Sequence, residues 1–189
     1  SKGFPVKGRN LTIYFTIPLY ISSLCKQMKD SLFKSAWKKA ESCANKKYET
    51  RKDKALTKDH LQAICAYTAG QPKLFEPFNA AVRRGRINKL CRITYRRKVR
   101  FGSFTSTSKE PNLLQFGKKT CFHIQTCFGA YLKDYSVLGK HEREVLIPPY
   151  EMFKIVKITK GSYEKMTNCN TIFVLKNAGN LSNLNCKAA

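Results

Sequence analysis

Acidic residues are scarce in this chain: 12 Asp and Glu stand against 36 Lys and Arg, a formal net charge of +24 over 189 residues. Familiar site motifs are missing as well. No two cysteines are spaced C-x-x-C, so a zinc ribbon or a thioredoxin-like site is unsupported. Neither GxGxxG nor GxxxxGK[ST] occurs, which leaves Rossmann and P-loop nucleotide binding without support. There is no G-x-S-x-G elbow, and His123 and His141 are not arranged as partners of a nucleophilic serine. No repeat and no low-complexity tract appears.

Long hydrophobic runs are also lacking. The longest, LTIYFTIPLYISSL at 11–24, is too short to span a bilayer as a helix. It follows Lys2, Lys7 and Arg9 as a signal-peptide core would, yet Ile13, Tyr14, Phe15 and Ile17 favour a buried β-strand. The start at Ser1, without Met, reads as processed or trimmed.

The chain is long enough for one domain with a real core. Its apolar share of 42% and charged share of 25% are those of a globular protein. The excess of base speaks of partners rather than fold, and points to anionic surfaces. The lysines are spread from end to end with no basic tail, so no specific nucleic-acid partner is expected. Eight cysteines, an even number, suggest disulfides and an oxidising compartment. The sequons at Asn10 and Asn180 agree with secretion.

Periodicity predicts helices first and strands after. Met28, Leu32, Phe33, Ala36, Trp37 and Ala40 mark an amphipathic helix over 28–47. A polar linker is expected at 48–58 and a second helix at 59–69, with Asp59 as N-cap and His60 on its surface. Gln71-Pro72 breaks the pattern, and a short helix follows at 73–84, entered at Pro77. Strands are expected at 91–95, 99–105, 120–128, 144–158 around Pro148-Pro149, and 171–176. Helices followed by many short strands define an α+β class.

With acids so few, Glu142 and Glu144 stand out. At the start of a strand, positions two apart share a face, so both carboxylates would enter one site. Like charges that close separate their tendencies to ionise, which suits divided roles. Upstream lie Ser106-Thr107-Ser108, ending an aromatic-rich strand, and Arg96, an arginine able to clamp phosphate. The order Arg, then Ser-Thr-Ser, then Glu-x-Glu carries the meaning.

That order, with ITYR (93–96), VRFGSFTSTS (99–108), HIQTCFG (123–129) and EREVLIPPYEMF (142–153), resembles the vertebrate ecto-mono-ADP-ribosyltransferases, an arginine-specific family marked by R–S–ExE. AWKKA (36–40), AICAYT (63–68), FNAAVR (78–83) and VLKNAGNLSNLNC (174–186) are similar to family segments too. The resemblance implies one domain over 1–189, with a helical part at about 25–88 and a β-rich part at about 89–186. It implies two packed, mainly antiparallel sheets around an NAD cleft. Arg96, Arg97 and Ser106 would bind NAD, and Arg96, Ser106 and Glu144 would form the catalytic set. Glu142 would recognise the acceptor arginine. The disulfides implied are Cys91–Cys127 and Cys25–Cys186, which leaves Cys43, Cys65, Cys121 and Cys169 unassigned.

The implied activity is transfer of ADP-ribose from NAD to protein arginines by an extracellular monomer, secreted or surface-anchored, with NAD as substrate and no metal. The sequence departs from the family in four places: Arg97 stands where Gly is usual, the links from Arg96 to Val99 and from FNAAVR to CRITYR are short, and the region around Cys25 to Leu32 is abbreviated. These departures keep an alternative open, a catalytically impaired member that acts as a cationic binder of anionic surfaces or nucleic acid.

Overall fold

The computed structural model describes residues 31–84, 98–111, 113, 117–137, 139 and 141–181. The segments expected at 11–24 and 91–95 lie outside the described residues, as do Cys25, Cys91, Arg96, Arg97 and Cys186.

Helix α1 is Ser31–Thr50, α2 is Lys58–Thr68 and α3 is Phe75–Arg84. The first buries Phe33, Ala36, Ala40 and Ala44, a narrow stripe at helical spacing. Its alanines let α2 approach closely, and a Cys43–Cys65 disulfide joins the two helices. Two of the unassigned cysteines are thereby paired. Closing this loop stabilises the fold by roughly 3 kcal/mol through the unfolded chain.

Two expectations for α2 are corrected. Its N-cap is Thr57, not Asp59: Thr57 Oγ1 accepts from His60 N at 3.2 Å, and His60 Nδ1 accepts from Thr57 N at 3.1 Å. Imidazole thus fills the place usually taken by Glu in a capping box. His60 is accordingly buried rather than on the surface, with 5% exposure, and burial lowers its pKa against the opposing pull of Asp59. The linker is shorter than expected, because α1 runs on to Thr50 and α2 starts at Lys58.

The strands are β1 (Lys98–Val99), β2 (Thr105–Ser108), β3 (Thr120–Gln125), β4 (Ala130–Tyr131), β5 (Glu144–Ile147), β6 (Glu151–Tyr163) and β7 (Met166–Asn180). They form a larger sheet in the order β1-β6-β7-β3 and a smaller one in the order β2-β5-β4. All pairings are antiparallel except β3 with β7.

The single strand expected at 99–105 is in fact two, β1 and β2, in different sheets. Gly102, at φ +76°, takes the left-handed conformation that turns the chain between them. The expected break at Pro148-Pro149 makes the last crossing, from β5 to β6. The strand expected at 120–128 stops at Gln125, and the one expected at 171–176 is the middle of the longer β7. The Cys121–Cys169 disulfide links β3 to β7.

The smaller sheet lies between the other layers. Leu146 on β5 packs with Phe33, Leu61, Ala66, Phe104 and Leu132 in the core under the helices. Its neighbour Ile147 points the other way, into a core shared with Phe153, Leu175, Ile124 and Val99 of the larger sheet. Alternation along one strand therefore binds three layers together.

Candidate active site

Alternation also sets the site. Ser106 pairs with Leu146 and Ser108 with Glu144 in the β2–β5 register, so all four side chains share the face of the smaller sheet that looks toward the helices. Ser106 and Glu144 are diagonal neighbours there, close enough for direct contact. Ser106 Oγ donates to Glu144 Oε1 at 2.6 Å. Glu144 is buried, with 5% exposure. Burial pushes its carboxyl above the usual carboxylate range, the Ser106 hydroxyl pulls it back, and the Glu142 charge adds to the rise.

Glu142 reaches this neighbourhood by a route the sequence did not suggest. It does not share a strand face with Glu144, because β5 begins only at Glu144 and Arg143 stands at φ +44°. The two carboxylates meet across a left-handed turn instead. That turn is tied down from both sides. Ser108 Oγ donates to the Glu142 carbonyl, and Lys109 N donates to the Arg143 carbonyl at 3.2 Å. The Arg143 guanidinium pairs with Glu110 at 2.8 Å, so the basic residue inside ExE is engaged away from its two acids. Lys109 lies over the Tyr131 ring at 3.8 Å, closing the same rim.

Sequence reasoning missed three supporting residues. Asn79 on α3 grips the residue that leads into β2: its Nδ2 donates to the Phe104 carbonyl at 3.2 Å, and its Oδ1 accepts from Phe104 N at 3.1 Å. The same Nδ2 donates to the Tyr67 hydroxyl at 3.1 Å. Burial, with Glu144 nearby adding to it, raises the pKa of Tyr67 and keeps the hydroxyl protonated. Glu151, with 0% exposure, accepts from Thr126 Oγ1 at 2.6 Å, Cys127 N at 2.8 Å and Asn177 Nδ2 at 2.7 Å. It is a knot for the turn at 126–129, not a reacting acid. The one signal in the sequence was that FNAAVR, AICAYT and EREVLIPPYEMF, which hold these residues, are recognisable segments.

Of the candidate residues, Ser106, Glu144 and Glu142 are brought together. Arg96 and Arg97 lie outside the described residues. Cys127 is exposed, with no disulfide partner among the described residues. His123 is a strand residue as expected, its Nε2 3.2 Å from Glu164.

The structure thus holds a hydroxyl-bound, buried glutamate in the smaller sheet, with a second glutamate across a turn. The structure is similar to a mutant of the eucaryotic mono-ADP-ribosyltransferase ART2.2 in complex with NADH, at 25% identity and a TM-score of 0.66, covering 97% of this chain and 93% of that one. A family profile described as NAD:arginine ADP-ribosyltransferase matches residues 84–168. NAD(P)(+)--arginine ADP-ribosyltransferase 2 of Gallus gallus is 36% identical over 128 residues, covering 67% of this chain and 37% of the relative. Ecto-ADP-ribosyltransferase 4 of Homo sapiens is 40% identical over 93 residues, covering 47% of this chain and 26% of the relative. The chain belongs to the NAD:arginine ADP-ribosyltransferase family. Its matches span only 37% and 26% of the length of these two relatives.

Proposed function

We propose that this chain is an NAD-dependent protein-arginine mono-ADP-ribosyltransferase, carried by one domain over 1–189. The observation that carries the reading is the 2.6 Å bond from Ser106 to the buried Glu144, with Glu142 near enough to perturb it. Loss of nicotinamide leaves an oxocarbenium-like ribose, as in glycoside cleavage. An ionised Glu144 beside that ribose stabilises charge that develops only in the transition state. Ser106 occupies Oε1; among the described residues no donor engages Oε2, which suits a ribose hydroxyl. Glu142 positions the acceptor guanidinium and assists its loss of a proton. Arg96, with Arg97 beside it, holds the phosphates.

The acceptor is a protein with an exposed arginine. The chain works outside the cell, secreted or surface-anchored, as a monomer without a specific nucleic-acid partner. Two disulfides and the names of its ecto- and GPI-linked relatives support that placement.

The test is transfer from labelled NAD onto an arginine-rich acceptor, wild type beside Glu144→Ala. Transfer by the wild type that falls at least about a hundredfold in the variant is expected. A folded wild type that transfers nothing would sink the proposal and leave the binding-protein alternative.

A further inference from the structure

The face of the larger sheet turned away from the smaller one carries a row of lysines. Lys98 on β1 is directly opposite Lys154 on β6, and Lys154 is directly opposite Lys176 on β7. Residues paired across neighbouring strands point to the same side, and Val99, Phe153 and Leu175 alternate with them into the core. The three lysines therefore stand on the outer face in a line perpendicular to the strands, their backbones about 4.8 Å apart and about 10 Å from end to end. Gln125 of β3 continues the row. All three lysines are exposed, and none enters an ion pair among the described residues. The acids nearest in the sheet are engaged elsewhere, Glu151 by Thr126 and Asn177, and Glu164 by His123.

Like charges directly opposite each other cost stability, so a row of this kind is a standing expense that a linear polyanion would offset. The geometry points to a binding surface for a sulfated polysaccharide on this face, remote from Ser106 and Glu144 and independent of the proposed transfer reaction. Lysines present point charges on flexible stems, which suits sulfate esters better than a two-pronged carboxylate contact. A membrane surface fits less well, because it needs apolar side chains beside the charges. The exposed Ile158 and Phe122 both pair with Phe173, and so belong to the opposite face. Single-stranded nucleic acid fits less well too, since the row itself has no aromatic platform for bases. The disulfides Cys43–Cys65 and Cys121–Cys169 place the chain in an oxidising compartment, where such polysaccharides are found.

The test uses the full chain and heparin, with two triple variants of equal charge change. One is Lys98→Gln with Lys154→Gln and Lys176→Gln. The other is Lys34→Gln with Lys38→Gln and Lys46→Gln, on the exposed side of α1. The sheet variant should lose at least about tenfold in affinity and about two to three from the salt slope, the α1 variant much less. Removing sulfate from the heparin should abolish binding. Equal losses in both variants, or no binding by the wild type, would overturn the assignment. Tighter binding to phosphatidylserine vesicles or to DNA, lost in the sheet variant, would give the row to another partner. Should the triple variant fold poorly, Lys154→Gln alone removes the centre of the row and must weaken heparin more than any single α1 change.

Discussion

Ser106 and Glu144 are not opposite each other in the β2–β5 ladder; they are diagonal, and their 2.6 Å bond spans the offset. The hydroxyl favours the ionised carboxylate that burial disfavours. Ser106→Ala should therefore push Glu144 still higher. The acidic limb of the pH profile of kcat/KM moves to higher pH, and transfer at neutral pH falls about tenfold. A limb that stays in place would show that the hydroxyl does not tune Glu144.

The same raised pKa has a stability consequence. Glu144 binds its proton more tightly folded than unfolded, so its contribution is full below the ordinary carboxylate range and is lost as pH rises through the raised value. Glu144→Gln keeps the Ser106 bond and carries no charge. Its melting temperature should exceed that of the wild type at neutral pH, with the gap closing as the medium is acidified. Thermal denaturation across a pH series checks this; a gap that widens toward acid would contradict it.

Glu151 is held at 0% exposure by donors from Thr126, Cys127 and Asn177, and its removal leaves these part-buried groups without that acceptor. Glu151→Ala should lose roughly 3 kcal/mol or more in denaturant unfolding, and Glu151→Gln less. A loss under about 1 kcal/mol would mean that water replaces the carboxylate.

Asn79 offers a separate check on how the helices position the site. Asn79→Ala removes its hydrogen bonds to both backbone groups of Phe104, two residues before Ser106. Expected is a loss of about 2 kcal/mol, with transfer reduced as well. Tyr67→Phe, which removes one bond to the same amide, should cost less. Urea titration of the three proteins separates these outcomes, and equal stability of Asn79→Ala and wild type would refute the clamp.

The sequence shows most where local pattern and site chemistry coincide. Ser106 and Glu144 were legible because a Ser-Thr-Ser strand end and a rare acidic pair keep their spacing. The helical stripe of Phe33, Ala36 and Ala40 was legible from its period alone. What failed depended on tertiary context. His60 looked like a surface residue because its role as an N-cap partner depends on Thr57, a polar residue in what read as linker. Glu142 looked like a strand neighbour of Glu144 because a left-handed Arg143 leaves no mark in composition. Glu151 read as one more acid in a strand, although Asn177, 26 residues later, is one of its partners.

The chain passes between the sheets four times, and the passages through 100–104 and 148–150 lead directly from a strand of the larger sheet to β2 and from β5 to a strand of the larger sheet. β2, which carries Ser106, and β5, which begins with Glu144, are thus each strapped covalently to the larger sheet by a few residues. The layers cannot part like a shell without stretching both straps. The spacing of Ser106 and Glu144 is set inside the smaller sheet, by the β2–β5 register alone, and owes nothing to how the two sheets lie against each other.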